Sequence, residues 1–216
     1  ATAVFDLDGT LLNTIEDLHL STNAALAEHG LPARSLEEVR RFVGNGIRRL
    51  IERAVPTGTD VAEQEAVYDA FCAHYASHCE DHTGPYPGIP GLLARLRAAG
   101  VRLAVVSNKG DFAVQELVAR QFPGAFDTVL GESEATGIRR KPAPDMVLAA
   151  LERMGADRDG MVYIGDSEVD VQTAANVGCP CISCTWGFRS MDELLDAGAT
   201  IFVDTPDELG RVLLGA

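Results

Sequence analysis

One short stretch constrains this chain more than any other: an apolar strand that runs straight into two acids and a glycine, Val4-Phe5-Asp6-Leu7-Asp8-Gly9-Thr10. Alternation along an extended strand sends Asp6 and Asp8 to one side and Leu7 to the other. Two carboxylates about 4 Å apart repel by roughly 4 kcal/mol at an effective dielectric of about 20. Such a pair therefore shares a proton or holds a cation. Ligands of open α/β sheets bind where the strands end, and this pair stands at a strand end. Taken alone, the stretch also reads as a plain strand followed by an Asp-Gly turn, so the rest of the chain has to decide.

After that strand the apolar spacing predicts helices over Ile15 to His29, from Leu36 through Val43, over Ile47 to Ala54, and from about Val61 to Cys79. The second is opened by a capping box, Ser35-Leu36-Glu37-Glu38, and is broken by Gly44-Asn45-Gly46. Nothing between Thr14 and Thr83 reads as strand. Beyond the turn-rich Gly84-Pro85-Tyr86-Pro87-Gly88 the period changes. Strands at Val101 to Ser107, Thr128 to Leu130, Met161 to Gly165, Cys181 to Cys184 and Ile201 to Val203 alternate with helices at Ile89 to Ala99, Asp111 to Gln121, Pro144 to Met154 and Val169 to Val177. Continuous apolar strands such as Leu103-Ala104-Val105-Val106 belong to a parallel sheet covered on both faces. The expected fold is α/β, a Rossmann-like parallel sheet core with an inserted all-helical cap domain. The core takes residues 1–13 and 85–216, and the cap takes 14–84.

Charge and composition exclude several partners. Formal net charge is −14 and the isoelectric point near 4.7, so the field of the molecule repels nucleic acid and anionic membranes. No apolar run approaches the roughly 20 residues of a membrane span. No basic leader precedes the first strand, and the five cysteines are an odd number, which together are expected of a cytoplasmic protein with free thiols. Cys181-x-x-Cys184, with Cys179, could be a redox pair or half a zinc site, but Pro180-Cys181-Ile182-Ser183-Cys184 reads better as a buried strand. Against this negative field, a small anionic substrate needs a local positive site. The sequence leaves monomer or homodimer open.

Polar residues recur at strand ends. The strand at Val105 ends Ser107-Asn108-Lys109, the one at Ile164 ends Gly165-Asp166-Ser167-Glu168-Val169-Asp170, and Arg139-Arg140-Lys141-Pro142 falls between them. Parallel strands bring their carboxyl ends to one edge, so these groups converge with Asp6 and Asp8. Asp6, Asp8 and Asp166, with Asp170 behind them and a backbone carbonyl in support, offer the few oxygen ligands that Mg²⁺ takes while it keeps waters and a substrate phosphate.

In these motifs the chain resembles the haloacid dehalogenase-like superfamily. Its phosphatases carry an Asp-x-Asp-Gly-Thr strand, a Ser or Thr after the second core strand, a Lys before a helix and a Gly-Asp-Ser-x-x-Asp turn. All four occur here in order, at Asp6 to Thr10, Ser107, Lys141 and Gly165 to Asp170. The resemblance implies that Asp6 is a nucleophile forming an aspartyl phosphate, and that Asp8 protonates the leaving group and then activates water. It implies that Thr10, Ser107, Asn108 and Lys141 bind phosphoryl oxygens or steady the nucleophile, with Mg²⁺ as cofactor and a small-molecule phosphate ester as substrate. Val43-Gly44-Asn45-Gly46 with Leu50 to Ala54, and Tyr86-Pro87-Gly88, are similar to phosphoglycolate phosphatases; Asn13 departs from the Asp common there. Gly44, Asn45 and Gly46 are then candidate substrate-binding residues, presenting backbone N–H groups to a small anionic leaving group. A phosphosugar mutase on the same scaffold, or a non-catalytic binding protein, is the alternative.

Lysine usage is a separate sign. Of the 18 basic side chains only Lys109 and Lys141 are lysines, and both lie beside the motifs. A compact ammonium suits contact with a single phosphate or carboxylate oxygen. All five histidines lie in the helical insert, where His74, His78 and His82 are spaced like one helix face and could hold a metal. Arg48, Arg49 and Arg53 read as a solvated helix face or as a contact to the leaving group.

Overall fold

The chain was described by a computed structural model that covers residues 1–133 and 137–215. It divides into two compact units, residues 1–12 with 85–216, and residues 13–84.

The first unit is built on strands β1 (Thr2–Phe5), β4 (Arg102–Gly110), β5 (Thr128–Glu132), β6 (Met161–Gly165), β7 (Cys181–Cys184) and β8 (Phe202–Val203), with two short strands, β2 (Leu12–Asn13) and β3 (Gly84–Pro85), where the chain leaves and re-enters it. The six form one parallel sheet in the order β5-β4-β1-β6-β7-β8. The chain starts in the middle, works out to one edge, then returns and works out to the other. The order therefore reverses between β1 and β6, which is where open α/β sheets place their ligands.

Alternation along the strands builds both faces. Ala3 and Phe5, with Leu103, Val105, Ile164 and Ile182, pack against helices α5 (Ile89–Ala98), α6 (Asp111–Gln121) and α10 (Pro206–Leu214). Val4, Ala104, Val106 and Tyr163 face the other way, onto α7 (Asp145–Met154) and α8 (Glu168–Val177). Each fully buried Val, Leu, Ile or Phe side chain among them contributes about 1.5–3 kcal/mol. This two-sided burial explains why the strands read as unbroken apolar runs.

The second unit consists of α1 (Ile15–Glu28), α2 (Leu36–Phe42), α3 (Ile47–Ala54) and α4 (Val61–His78). The capping box at Ser35 forms, with Glu38 and Ser35 exchanging bonds. Asp60 caps α4 by accepting from the Glu63 N–H. Leu18 and Leu26 of α1 and Val67 and Phe71 of α4 are buried, and Phe71 stacks on Tyr75 at 5.3 Å.

Two helices were not anticipated: α9 (Met191–Asp196) and α10. Both carry start signals. Ser190 and Glu193 form a capping box, and Thr205 caps the helix that Pro206 opens. Strand β1 also stops at Phe5, three residues short of the alternation expected through Asp8, because the segment from Leu7 folds into a turn with Leu11 and Leu12 N–H both donating to the Leu7 carbonyl. Among the described residues no helix is long and apolar enough to cross a membrane.

Candidate active site

The carboxyl ends of β1, β4 and β6 gather the acids. Asp6 follows β1 directly, and its backbone N–H still donates to the Ile164 carbonyl of β6, 2.9 Å away. That bond ties it to the strand whose end carries Asp166. Asp6, Asp166 and Asp170 each present a carboxylate oxygen within 4.8 Å of the others, and all three are buried.

Glycines make this approach possible. Gly9 has φ +88°, and a Cβ there would fall on the Asp166 carboxylate. Side chains at Gly165 and Gly187 would collide with Asp170 and Asp166. The acids are thus packed against bare backbone on three sides.

Each acid has its own partners. The Asp6 Oδ1 lies 2.8 Å from the Lys141 ammonium, which also reaches Asp170 Oδ1 at 2.8 Å and the Tyr163 hydroxyl at 3.0 Å. Asp166 accepts from the Thr10 hydroxyl at 2.9 Å and from the Phe188 N–H at 2.7 Å. Asp170 is satisfied on both oxygens: Oδ1 takes Lys141 and Tyr163, and Oδ2 takes the N–H groups of Asp166 and Ser167 and the Ser167 hydroxyl. It therefore organises the turn and Lys141. The Asp8 side chain stands apart from the three-acid group, with Oδ1 paired to Lys109 at 3.0 Å.

At the end of β4, Ser107 Oγ accepts from the Lys109 N–H at 3.2 Å. Asn108 clamps the loop that carries Lys141, donating to the Lys141 carbonyl at 3.0 Å and accepting from its N–H at 2.8 Å. Asn108, expected to bind phosphoryl oxygens or steady the nucleophile, holds the Lys141 backbone on both sides. Gly44, Asn45 and Gly46 belong to the other unit, in the turn that opens α3, with φ of +122° at Gly44 and +83° at Gly46.

Burial pushes the Asp6 carboxyl well above its ordinary range; Asp170 and Asp166 add to this and Lys141 opposes it. Asp166 is pushed up to about 7, by burial and then by Asp170, against the pull of the Phe188 N–H and Thr10. Burial works against the Lys141 charge, yet Asp170 and Asp6 outweigh it and hold the ammonium well above its usual value. Three carboxylates thus face one ammonium. An all-oxygen donor set with surplus negative charge fits a hard divalent cation, and Asp6 and Asp166 are the members whose charge the protein leaves least compensated.

Tyr163 and the loop after β7 were missed in the sequence. Tyr163 lies inside a strand and reads as core. Phe188 acts through its backbone N–H, which leaves no side-chain signature of the site, whereas the Trp186 indole N–H donates to the Thr10 carbonyl at 3.1 Å. The other candidates resolve into local structure. Arg48 pairs with Glu65 and lies over Tyr68, Arg49 pairs with Glu52, and Arg53 donates to the Phe42 carbonyl. His74 stacks on His78, while His82 is bound to Asp17. None of the five cysteines is in a disulfide, and burial holds Cys181 up at about 12, far from a reactive thiolate.

A parallel sheet of this order with carboxylates at its switch point defines an α/β protein with a cation-ready ligand site, and comparison with known proteins gives the class. The family model of the haloacid dehalogenase-like hydrolases matches residues 3–184. A phosphoglycolate phosphatase of Thiobacillus denitrificans is 36% identical over 203 residues, 90% of this chain and 88% of that protein. An N-acetylmuramic acid 6-phosphate phosphatase of Pseudomonas aeruginosa is 32% identical over 219 residues, 97% and 93% of the two chains. The crystal structure of a proposed phosphoglycolate phosphatase from Lactobacillus delbrueckii subsp. bulgaricus superposes with a TM-score of 0.93 at 41% identity, covering 100% of this chain and 98% of that one. The chain belongs to the haloacid dehalogenase-like hydrolase family. Within it, the chain is a phosphoric monoester hydrolase of the phosphoglycolate phosphatase-like subgroup.

Proposed function

We propose that this phosphatase hydrolyses a small phosphate monoester through an aspartyl phosphate on Asp6, with Mg²⁺ as cofactor. The observation that carries this reading is the meeting of Asp6 with the Lys141 ammonium at 2.8 Å, beside Asp166 and at the sheet's switch point. Asp6 attacks phosphorus and the ester P–O bond breaks, while the departing oxygen takes a proton from the Asp8 carboxyl. Water then attacks the phosphorus, gives its proton to the Asp8 carboxylate, and the Asp6–P bond breaks. One ester and one water leave as one alcohol and one phosphate, and both acids are restored. Asp6 and Asp166 would hold the Mg²⁺, with Asp170 fixing the turn behind them; the ion supplies charge that attracts the phosphoryl oxygens and offsets the carboxylate surplus. Lys141 steadies Asp6 and draws the phosphoryl group, and Thr10 and Ser107 stand at the same edge.

For the leaving group, similarity to the phosphoglycolate phosphatases supports a small hydroxy acid, the glycolate of 2-phosphoglycolate. The P. aeruginosa relative makes a phosphorylated amino sugar acid the second reading. Gly44, Asn45 and Gly46 are the proposed contact to an anionic leaving group, since the helix N-terminus that follows favours negative charge. Phosphate release from a panel holding 2-phosphoglycolate, N-acetylmuramic acid 6-phosphate and p-nitrophenyl phosphate, with Mg²⁺ and with EDTA, tests the reading. Mg²⁺-dependent release, fastest on 2-phosphoglycolate, is expected. Release unaffected by EDTA would remove the metal, and a phosphosugar isomerised without release would make the protein a mutase.

A further inference from the structure

The chain's two lysines are both buried, 5% exposed at Lys109 and 3% at Lys141, and each is set on one acid of the first motif. Lys141 meets Asp6 at 2.8 Å and Lys109 meets Asp8 at 3.0 Å. The proposed reaction uses Lys141 but gives Lys109 no task, although burying an ammonium is costly without a purpose. Its location is set by the end of β4, where the Lys109 N–H is anchored on Ser107 Oγ, so the side chain leaves the strand from a fixed base.

The contact is to one oxygen, Asp8 Oδ1. An ammonium has three donors and no acceptor, so Oδ1 serves it as acceptor, and the carbonyl oxygen of a protonated carboxyl accepts better than its hydroxyl oxygen. The contact therefore favours a proton of Asp8 on Oδ2. We propose that Lys109 is a positioning residue that fixes the Asp8 carboxylate by Oδ1 and confines its proton traffic to Oδ2. In the first step the O–H bond at Oδ2 breaks as the leaving oxygen gains the proton. In the second a water O–H bond breaks and the proton returns to Oδ2. Holding the carboxylate by one oxygen keeps the other in the same place for both transfers, as alignment of a proton donor requires.

This inference rests on the reading of Asp8 as acid and base, and the test separates the two. Lys109→Met, Lys109→Gln, Asp8→Asn and the double variant Asp8→Asn/Lys109→Met are assayed on 2-phosphoglycolate and on p-nitrophenyl phosphate, whose leaving group departs without a proton. Folding is checked by thermal melting. Lys109→Met is expected to lower kcat on 2-phosphoglycolate at least tenfold with KM within about twofold, and to lower the first-turnover burst of p-nitrophenol much less. Lys109→Gln, which keeps one donor near Oδ1, is expected to recover part of the loss. In the Asp8→Asn background Lys109→Met should cost nothing further. A rise in KM with kcat unchanged would make Lys109 a substrate contact and overturn the inference. So would a first-turnover burst of p-nitrophenol lowered as much as turnover of 2-phosphoglycolate, or the same loss with and without Asp8. If Asp8→Asn itself turns over 2-phosphoglycolate like the wild type, the reading of Asp8 fails instead.

Discussion

Two buried carboxylate sites in this molecule resolve the same problem in opposite ways. In the helical unit Asp17, only 1% exposed, receives the N–H groups of His82 and Thr83, the Thr83 hydroxyl at 2.7 Å and the His82 ring at 2.9 Å. Burial works to raise its pKa, but these donors outweigh it and hold the carboxyl below its usual value. In the α/β unit, Asp6 and Asp166 are also buried but lie beside further acids, and their pKa values are driven upward, first by burial and then by Asp170. Burial alone therefore does not mark a functional acid. The distinction lies in whether the protein supplies enough donors itself or leaves a charge for a cation and a substrate to complete.

The contrast is tested hardest at Asp6. Asp6→Asn keeps the size of the side chain but removes the nucleophile, so turnover should fall at least a thousandfold, about 4 kcal/mol in the barrier, in a protein that melts normally. Near-wild-type phosphate release by a preparation free of contaminating enzyme would end the covalent reading.

Lys141→Met comes next. Removing one partner of a buried ion pair leaves the other uncompensated, at a cost of about 3–5 kcal/mol, and here Asp6 and Asp170 both lose it. A lower melting temperature and at least a tenfold lower rate are expected. An unchanged rate and an unchanged Mg²⁺ requirement would place Lys141 outside the chemistry.

The smallest effect belongs to the self-satisfied acid. Asp17→Asn should cost about 1–3 kcal/mol of stability and leave the Mg²⁺ requirement unchanged. His82 is held above its ordinary value near 6.5, first by its bond to Asp17 and despite partial desolvation. Its contribution is therefore complete below about 6.5 and is lost as pH rises through the raised folded-state value. Asp17 is depressed below 3.8, so its contribution is complete above that pH and fades as pH falls through its folded-state value. The knot is strongest between the two. NMR titration should show His82 moving back toward 6.5 in Asp17→Asn; no movement would break the assigned pairing.

The sequence was informative where side-chain chemistry and position along a strand coincide. Asp6, Asp166, Lys141 and Asn108 could be placed at one edge because parallel strands share that edge, and β/α alternation showed the sheet as unbroken apolar runs. Asp17 left no such trace: an acid in the first turn of α1 looks like any N-terminal helix acid, and its partners are 65 and 66 residues away. Phe188 contributes a backbone N–H, which any residue except proline offers, so it could not be picked out. Asp8 shows the limit of alternation, since the turn that begins at Leu7 ends the strand and delivers Asp8 to Lys109 instead of to Asp166.

The central claim is that the acids whose charge the protein's own donors offset only in part are the ones that take a cation. Calorimetric titration of Mg²⁺ into the wild type, Asp6→Asn, Asp166→Asn and Asp17→Asn proteins measures it directly. The wild type and Asp17→Asn should bind one ion with equal affinity, and Asp6→Asn and Asp166→Asn should each lose at least tenfold, about 1.4 kcal/mol. Equal binding by all four proteins, or loss confined to Asp17→Asn, would contradict the account.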